Sequence, residues 1–437
     1  MVKELRIAPT TKADRINSMD IIRGVSLCGI LLMNITGFGL YKAYDDPTNN
    51  GGATGWNLTV WWINSMFFEG TMRGMFSMLF GAGILLFTNR TATNNALVTD
   101  LFFRRLTWMV LFGIIHCYLL LWDGEILYCY GIVGMFAFSF RHLPPKQLII
   151  GTTIFLALAT LWNLKDYVHN KDIYEAAVAA QQAKSSGENL DKKQTEAIAK
   201  WEGIVNERKP APEKVQEEIS AMHKGYFSIV KHKEPVNQFM QTTFLYRLGF
   251  LDTLAMMLLG MAFLKLGILK AEKSNRFYWL MALIGYTIGL TVNYYESDLL
   301  VSNQFSILSI DQSYLTYNVG RVANTCGHVA IIMLFIKSAL LPFLQKALAA
   351  VGQMAFSNYI MQSLICNFIF LGYGFALYGT LQRYQLYYVV FGVWLFQLIV
   401  SPIWLKYFRF GPLEWMWRSL TYWERQPFKK LQEEYQV

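Results

Sequence analysis

The sequence predicts an all-α, polytopic transmembrane helix bundle, and three observations carry that prediction. The chain has 437 residues, of which 54% are hydrophobic and only 16% charged. Several apolar runs exceed about 18 residues, the length at which a run becomes a transmembrane helix candidate. The basic residues gather in short segments between these runs, so the net charge of +9 reads as membrane topology and not as a nucleic-acid surface.

Taken in order, about ten spans are predicted, at roughly 17–40, 57–88, 104–121, 125–141, 147–163, 241–266, 277–295, 314–336, 350–371 and 385–405. No small-x-small cleavage site follows the first apolar run, so it reads as a retained span and not as a signal peptide. The second span carries Glu69, Gly70, Arg73 and Gly74 mid-way, which predicts a break. "FGAG" at 80–83 reads as a place for close helix packing.

Lys3, Arg6, Lys12 and Arg15 precede the first span, and Arg90, Arg104 and Arg105 follow the second. Arg141 and Lys146 follow the fourth, Lys270, Lys273 and Arg276 the sixth, and Lys406, Arg409 and Arg418 the tenth. With alternating spans all of these fall on one side, which makes both termini cytoplasmic and points the turn Trp122-Asp123-Gly124-Glu125 outward.

The chain divides into an N-terminal membrane bundle (1–163), a polar insert (164–240), a C-terminal membrane bundle (241–405) and a basic-aromatic cytoplasmic tail (406–437). In the insert, "IYEAAVAAQQAK" and "KQTEAIAKWEGIV" read as surface helices, and "ERKPAPEK" as a break. Alternation puts the insert outside, as a lid or as a solvated loop domain. The tail reads as an amphipathic segment at the inner leaflet. The five cysteines sit in apolar segments without metal-ligand spacing, so no metal site or disulfide framework is expected.

Ionisable groups inside spans are costly, and each is a functional candidate. Arg23 and Asn34 are eleven residues apart, so they share a helix face about 16 Å apart along the axis. Arg23, near the cytoplasmic end, suits a phosphate, and Asn34 suits a carbonyl or developing oxyanion. The structural alternatives are an Arg23–Asp20 pair and a helix-to-helix bond for Asn34. His116 lies at a depth similar to Asn34 and is a candidate general base, or a core histidine satisfied by a carbonyl. Asp123 and Glu125 are candidates for orienting His116 or holding an acceptor at the outer mouth. Glu69 and Arg73, at i and i+4, form an ion pair or line a cavity. Asn358 and Gln362 share a helix face and line a substrate site or join helices.

"RINSMDIIRGVSLCGILLMNITGFGL", "FFEGTMRGMFSMLFGAGILL", "RRLTWMVLFGIIHCYLLLWDGEILYCYGIVG" and the closing "FRFGPLEWMWRSLTY" resemble the YeiB-like membrane proteins, domain of unknown function 418. The resemblance covers nearly the whole chain apart from the insert. It implies a relation to the transmembrane acyltransferases, whose branches acetylate surface sugars or heparan α-glucosaminide. One branch has an Arg-x10-His motif; Arg23 matches its arginine, and Asn34 stands at its histidine. The glucosaminide branch has asparagine there and a histidine eleven residues later, where this chain has Asp45. His116 takes the base role by its depth alone.

The reading that follows is a transferase of the inner cell membrane with acyl-CoA, acetyl-CoA for instance, as donor. Arg23 and Arg73 would bind the donor. Catalysis would fall to His116, Asn34, Asp123 and Glu125. Glu69, Asn358 and Gln362 would bind a small-molecule or glycan acceptor. The lipid bilayer is the expected partner; a homo-oligomer is compatible with the sequence. The rivals are a small-solute transporter and a non-catalytic scaffold.

Overall fold

The computed structural model describes residues 16–89 and 95–430. Lys3, Arg6, Lys12, Arg15 and Arg90, used above for orientation, lie outside the described residues. Those described form helices and connections, with no strand among them: α1 (Asn17–Gly39), α2 (Trp56–Phe67), α3 (Thr71–Thr88), α4 (Asn95–Tyr118), α5 (Leu127–Ala137) and α6 (Pro145–Ser185). The insert adds α7 (Lys192–Arg208), α8 (Pro212–Met222) and α9 (Tyr226–Phe239). There follow α10 (Phe250–Lys265), α11 (Asn275–Ser302), α12 (Ile307–Ser313), α13 (Tyr317–Ser338), α14 (Pro342–Gln353), α15 (Ala355–Phe370), α16 (Leu386–Tyr407) and α17 (Pro412–Tyr422).

Six helical runs among the described residues are long and apolar enough to cross a membrane: α1, Trp56–Thr88, α6, Tyr226–Lys265, α13 and Arg383–Tyr407. The chain is thus an all-helical, multi-pass membrane protein. The sequence count of ten adds four further segments, α4, α5, α11 and α15, which are shorter or more polar. α5 and α15 have 11 and 16 residues, short of the roughly 20 a full crossing takes. α4 and α11 carry charges such as Arg104, Arg105, Glu296 and Asp298.

The predicted break in the second run is present. Helix α2 stops at Phe67, and Gly70 takes the left-handed conformation (φ 65°) before α3 begins. A side chain there would strike Tyr317 and Arg321 as well as straining the backbone. The packing expected of "FGAG" is also seen: a Cβ on Gly81 would collide with the Met257 carbonyl of α10, and one on Gly260 with that of Met78.

The bundle has two distinct ends. At the basic end Lys265 donates to the carbonyls of Arg141 (2.8 Å) and Leu143 (2.7 Å), and Lys337 to that of Lys273 (2.7 Å). At the other end stands the insert. Helix α6 does not stop at 163; its 41 residues run about 60 Å, twice the ~30 Å of bilayer hydrocarbon. The chain returns through α9 and a π-type segment, Met240–Gly249, directly into α10. Pro235 lies in this path.

The corner after α7 straps the insert across the bundle. Arg208 pairs with Asp311 (2.5 Å) and Lys209 with Asp46 (3.0 Å). Asn49 donates to the Arg208 carbonyl (3.0 Å), and Lys42 to that of Glu207. The closing helix α17 packs on α4 and α15.

Candidate functional site

A cavity of about 310 Å³ opens at the basic end between α1, α3, α4, α5, α15 and α17. Its walls are apolar: Phe76, Phe80, Leu106, Met109, Phe112 and Phe356 among others. Asp20, Arg23, Arg105, Gln353, Glu414 and Arg418 ring the mouth, which makes three cations to two carboxylates. Arg23 donates to Asp20 at 2.9 Å. The Arg105 guanidinium lies 3.8 Å from the Trp417 ring, and that of Arg418 4.2 Å from Phe410. Leu127, Tyr130 and Tyr359 line the deep part. Tyr130 is paired with Ser77, eleven residues before the end of α3, and so sits at about mid-depth.

A second polar region begins beyond Tyr130, towards the insert. The Gly70 break separates Glu69 from Arg73, and each finds another partner. The Tyr317 hydroxyl donates to Glu69 (3.2 Å), and Arg73 faces Asp252 of α10 (3.4 Å). Arg321 of α13 pairs with the same carboxylate and donates to Asn318 (3.1 Å). Higher up, Tyr314 donates to Asp45 (2.9 Å) and Thr316 to Glu296 (2.6 Å). The Arg73 side chain is 38% exposed, although α1, α10, α13 and α5 all pack on α3. An exposed side chain enclosed by so many helices implies an opening in the bundle, a cleft. Tyr44 and Asp45 behave alike: both are accessible, yet burial among surrounding protein pushes the Asp45 carboxyl up, against the pull of Tyr314 and Arg208.

The residues singled out in the sequence distribute as follows. His116 is fully buried; its Nε2 lies 2.8 Å from Ser363 Oγ, and its Nδ1 has no hydrogen-bond partner. Its ring meets the edge of Tyr359 at 5.0 Å, which places it behind the cavity lining. Asn34 is half-buried on α1, with no hydrogen bond to His116 among the described residues. The end of α1 instead meets the turn through Phe38, stacked on Trp122 at 3.7 Å.

That turn is covered by the insert. Asp123 pairs with Lys233 of α9 (2.8 Å), which also donates to the Leu121 carbonyl (3.1 Å). Tyr226 and Asn237 of α9 donate to the carbonyls of Leu119 (2.7 Å) and Cys117 (3.2 Å). Helix α9 thus satisfies the carbonyl end of α4, and its lysine suits the negative end of that helix dipole. Glu125 accepts the Tyr128 N–H at 2.7 Å. Asn358 and Gln362 form a buried ladder: Asn358 donates to Ser401 (3.0 Å), Gln362 to Gln397 (3.0 Å), and Gln397 back to the Asn358 carbonyl (2.9 Å).

Sequence reasoning passed over Tyr130, Tyr359, Tyr317, Arg321, Glu414 and Trp417. Buried tyrosines inside spans were the available signal, since a buried phenol hydroxyl needs a partner.

Residues 263–424 match the family described as Protein of unknown function (DUF418). The chain is 28% identical to "Uncharacterized protein YxaH" of Bacillus subtilis (strain 168), over 97% of this chain and 98% of the relative. It is 29% identical to "Uncharacterized protein YeiB" of Escherichia coli (strain K12), over 92% and 95%. It is 23% identical to the "Uncharacterized 39.9 kDa protein in amylase 3'region" of Bacillus acidopullulyticus, over 95% and 96%. No solved structure matches. The chain thus carries a DUF418 domain in its second half and is similar along almost its whole length to the uncharacterized proteins YxaH and YeiB.

Proposed function

We propose that this protein is an acyltransferase of the cell membrane that takes acyl-CoA from the cytoplasm and serves an acceptor, such as a sugar or another envelope component, on the far side. In this reading ten segments cross, the short α5 and α15 completing their spans with the residues that flank them: α1, α2–α3, α4, α5, α6, α9–α10, α11, α13, α15 and α16. The basic end is cytoplasmic by the distribution of Lys and Arg, and the insert is outside. The observation that carries the proposal is the cavity with an arginine-rich mouth, apolar walls and a lining that reaches mid-depth. A donor with phosphates at one end and an acyl thioester at the other fits that gradient.

The acceptor occupies the cleft of Glu69 and Arg73, and its hydroxyl or amine attacks the thioester carbon. A C–O or C–N bond forms and the C–S bond breaks. The acceptor's proton passes to Glu69, which releases it to water in the cleft before the next turn, and the CoA thiolate takes a proton from water at the mouth, leaving hydroxide there, and departs as the free thiol. Glu69 has this role because it faces the cleft and accepts from a phenol, whereas Asp252 is held between two arginines. His116 stands behind Tyr359 and positions it. The rival, a small-solute transporter, draws on one observation: two compartments reach towards mid-depth from opposite ends.

Calorimetry on the purified full-length protein is the test. CoA should bind, and about tenfold more weakly in Arg23→Ala, the order expected for one charge-assisted contact. Phosphate contacts are alike in ground and transition states, so the loss belongs in KM. Arg23→Lys keeps the charge without the fork and should lose less. Unchanged CoA affinity in the Arg23→Ala, Arg418→Ala double variant removes the donor site. Solute uptake by proteoliposomes without acyl transfer favours the rival.

A further inference from the structure

Tyr130 lies between the donor cavity and the stretch of α3 that bears Arg73. Its ring lines the donor cavity, packed against Phe80 (5.1 Å between centroids) and Phe76 (6.0 Å). Its hydroxyl is turned to α3. It lies 2.8 Å from Ser77 Oγ and 3.5 Å from the backbone carbonyl of Arg73, whose side chain opens on the cleft. Ser77 spends its own proton on the Arg73 carbonyl (2.9 Å), so the phenol is the donor of the pair. The other phenol of the cavity differs. The Tyr359 hydroxyl faces the α4–α5 turn, 3.5 Å from the Gly124 carbonyl and beside Trp122 and Ile126. Tyr130 is 2% exposed, so nothing but its own side chain and its neighbours fills the layer it occupies.

We infer that Tyr130 is the partition between the two compartments and the hydrogen-bond donor to the acyl carbonyl at the point of transfer. The first half stands on packing alone. The second rests on the acyltransferase reading. When the thioester arrives, the phenol turns its proton from Ser77 to the carbonyl oxygen, where negative charge develops as the acceptor attacks. A donor aimed at that charge in a dry site stabilises the transition state more than the ground state.

Two variants separate the halves. Tyr130→Phe keeps the ring and its packing, so it should fold, bind CoA with unchanged affinity and hold a membrane tight. Its kcat should fall about 10²–10³-fold, the usual loss for one such donor. Tyr130→Ala removes the ring and joins the compartments. Proteoliposomes loaded with potassium iodide should then leak iodide, whereas wild-type and Tyr130→Phe vesicles should not. Wild-type turnover in Tyr130→Phe, or Tyr130→Ala vesicles as tight as wild type, overturns the inference. If the wild-type protein transfers no acyl group, the acyltransferase reading fails by itself, and the iodide result still decides the partition.

Discussion

His116 is held from two sides, by Ser363 at 2.8 Å and by the Tyr359 ring edge at 5.0 Å. Both neighbours belong to α15, so the histidine fixes that helix against α4. Glutamine keeps one hydrogen bond of similar reach but is no base near neutral pH. His116→Gln should therefore keep CoA binding and retain turnover within about tenfold, well short of the 10²–10⁴ expected for a lost general base. His116→Ala should lower thermal stability by about 1–2 kcal/mol, the range for one polar contact between membrane helices. A His116→Gln protein with wild-type melting and turnover down a thousandfold would return the proton to His116. Depth along the axis was legible in the sequence, and it suggested Asn34 as a neighbour. Rotation about the axis was not, and it turns His116 towards α15.

At the scale of elements, α15 and α17 cap each other. Glu414, in the first turn of α17, accepts the N–H groups of Phe356 (2.7 Å) and Ser357 (3.0 Å) at the start of α15. Ser357 Oγ in turn accepts the Leu413 N–H at 3.0 Å. Glu414→Ala should cost about 1 kcal/mol, as for a lost N-cap. It should also weaken CoA binding, because α17 carries Trp417 and Arg418 to the cavity mouth. Burial pushes the Glu414 carboxyl up, against the pull of Ser357. A raised carboxyl favours the protonated form in the fold, so its contribution to stability falls as pH rises from about 4. Glu414→Gln cannot ionise, and its melting profile should be flatter with pH. The break at Gly70 was legible because charges and glycines interrupt an apolar run. The reach of α6 was not, because helical periodicity continues unchanged from lipid into water. Nor was the pairing of Asp123 with Lys233, which lies 110 residues away.

For the whole molecule the decisive question is which end faces the cytoplasm. Tyr44 is 42% exposed in the cleft, and Cys28, Cys117 and Cys366 are buried while Cys129 and Cys326 are half-buried. An impermeant thiol reagent should label Tyr44→Cys in intact cells. Labelling only after permeabilisation reverses the orientation and puts the arginine-ringed cavity outside, where no acyl-CoA reaches it. The bundle itself follows from composition and run length. The two compartments do not, because each is built from residues far apart in the chain: Arg23 with Arg418, Asp45 with Tyr314.

The corner at Arg208 and Lys209 spans the same cleft, tied to α12 on one wall and to the loop of Asp46 on the other. Both ties are ionic, and neither cation is fully withdrawn from solvent. Salt shortens the reach of such charges to about 10 Å at 0.1 M and 3 Å at 1 M. In the proposed orientation, with the insert outside, that makes the strap a weir whose height follows the salinity of the surroundings. Labelling of Tyr44→Cys should then quicken as sodium chloride rises, and this response should disappear in the Arg208→Gln, Lys209→Gln variant. A rate independent of salt would leave the strap a fixed beam, and the cleft equally open in fresh water and brine.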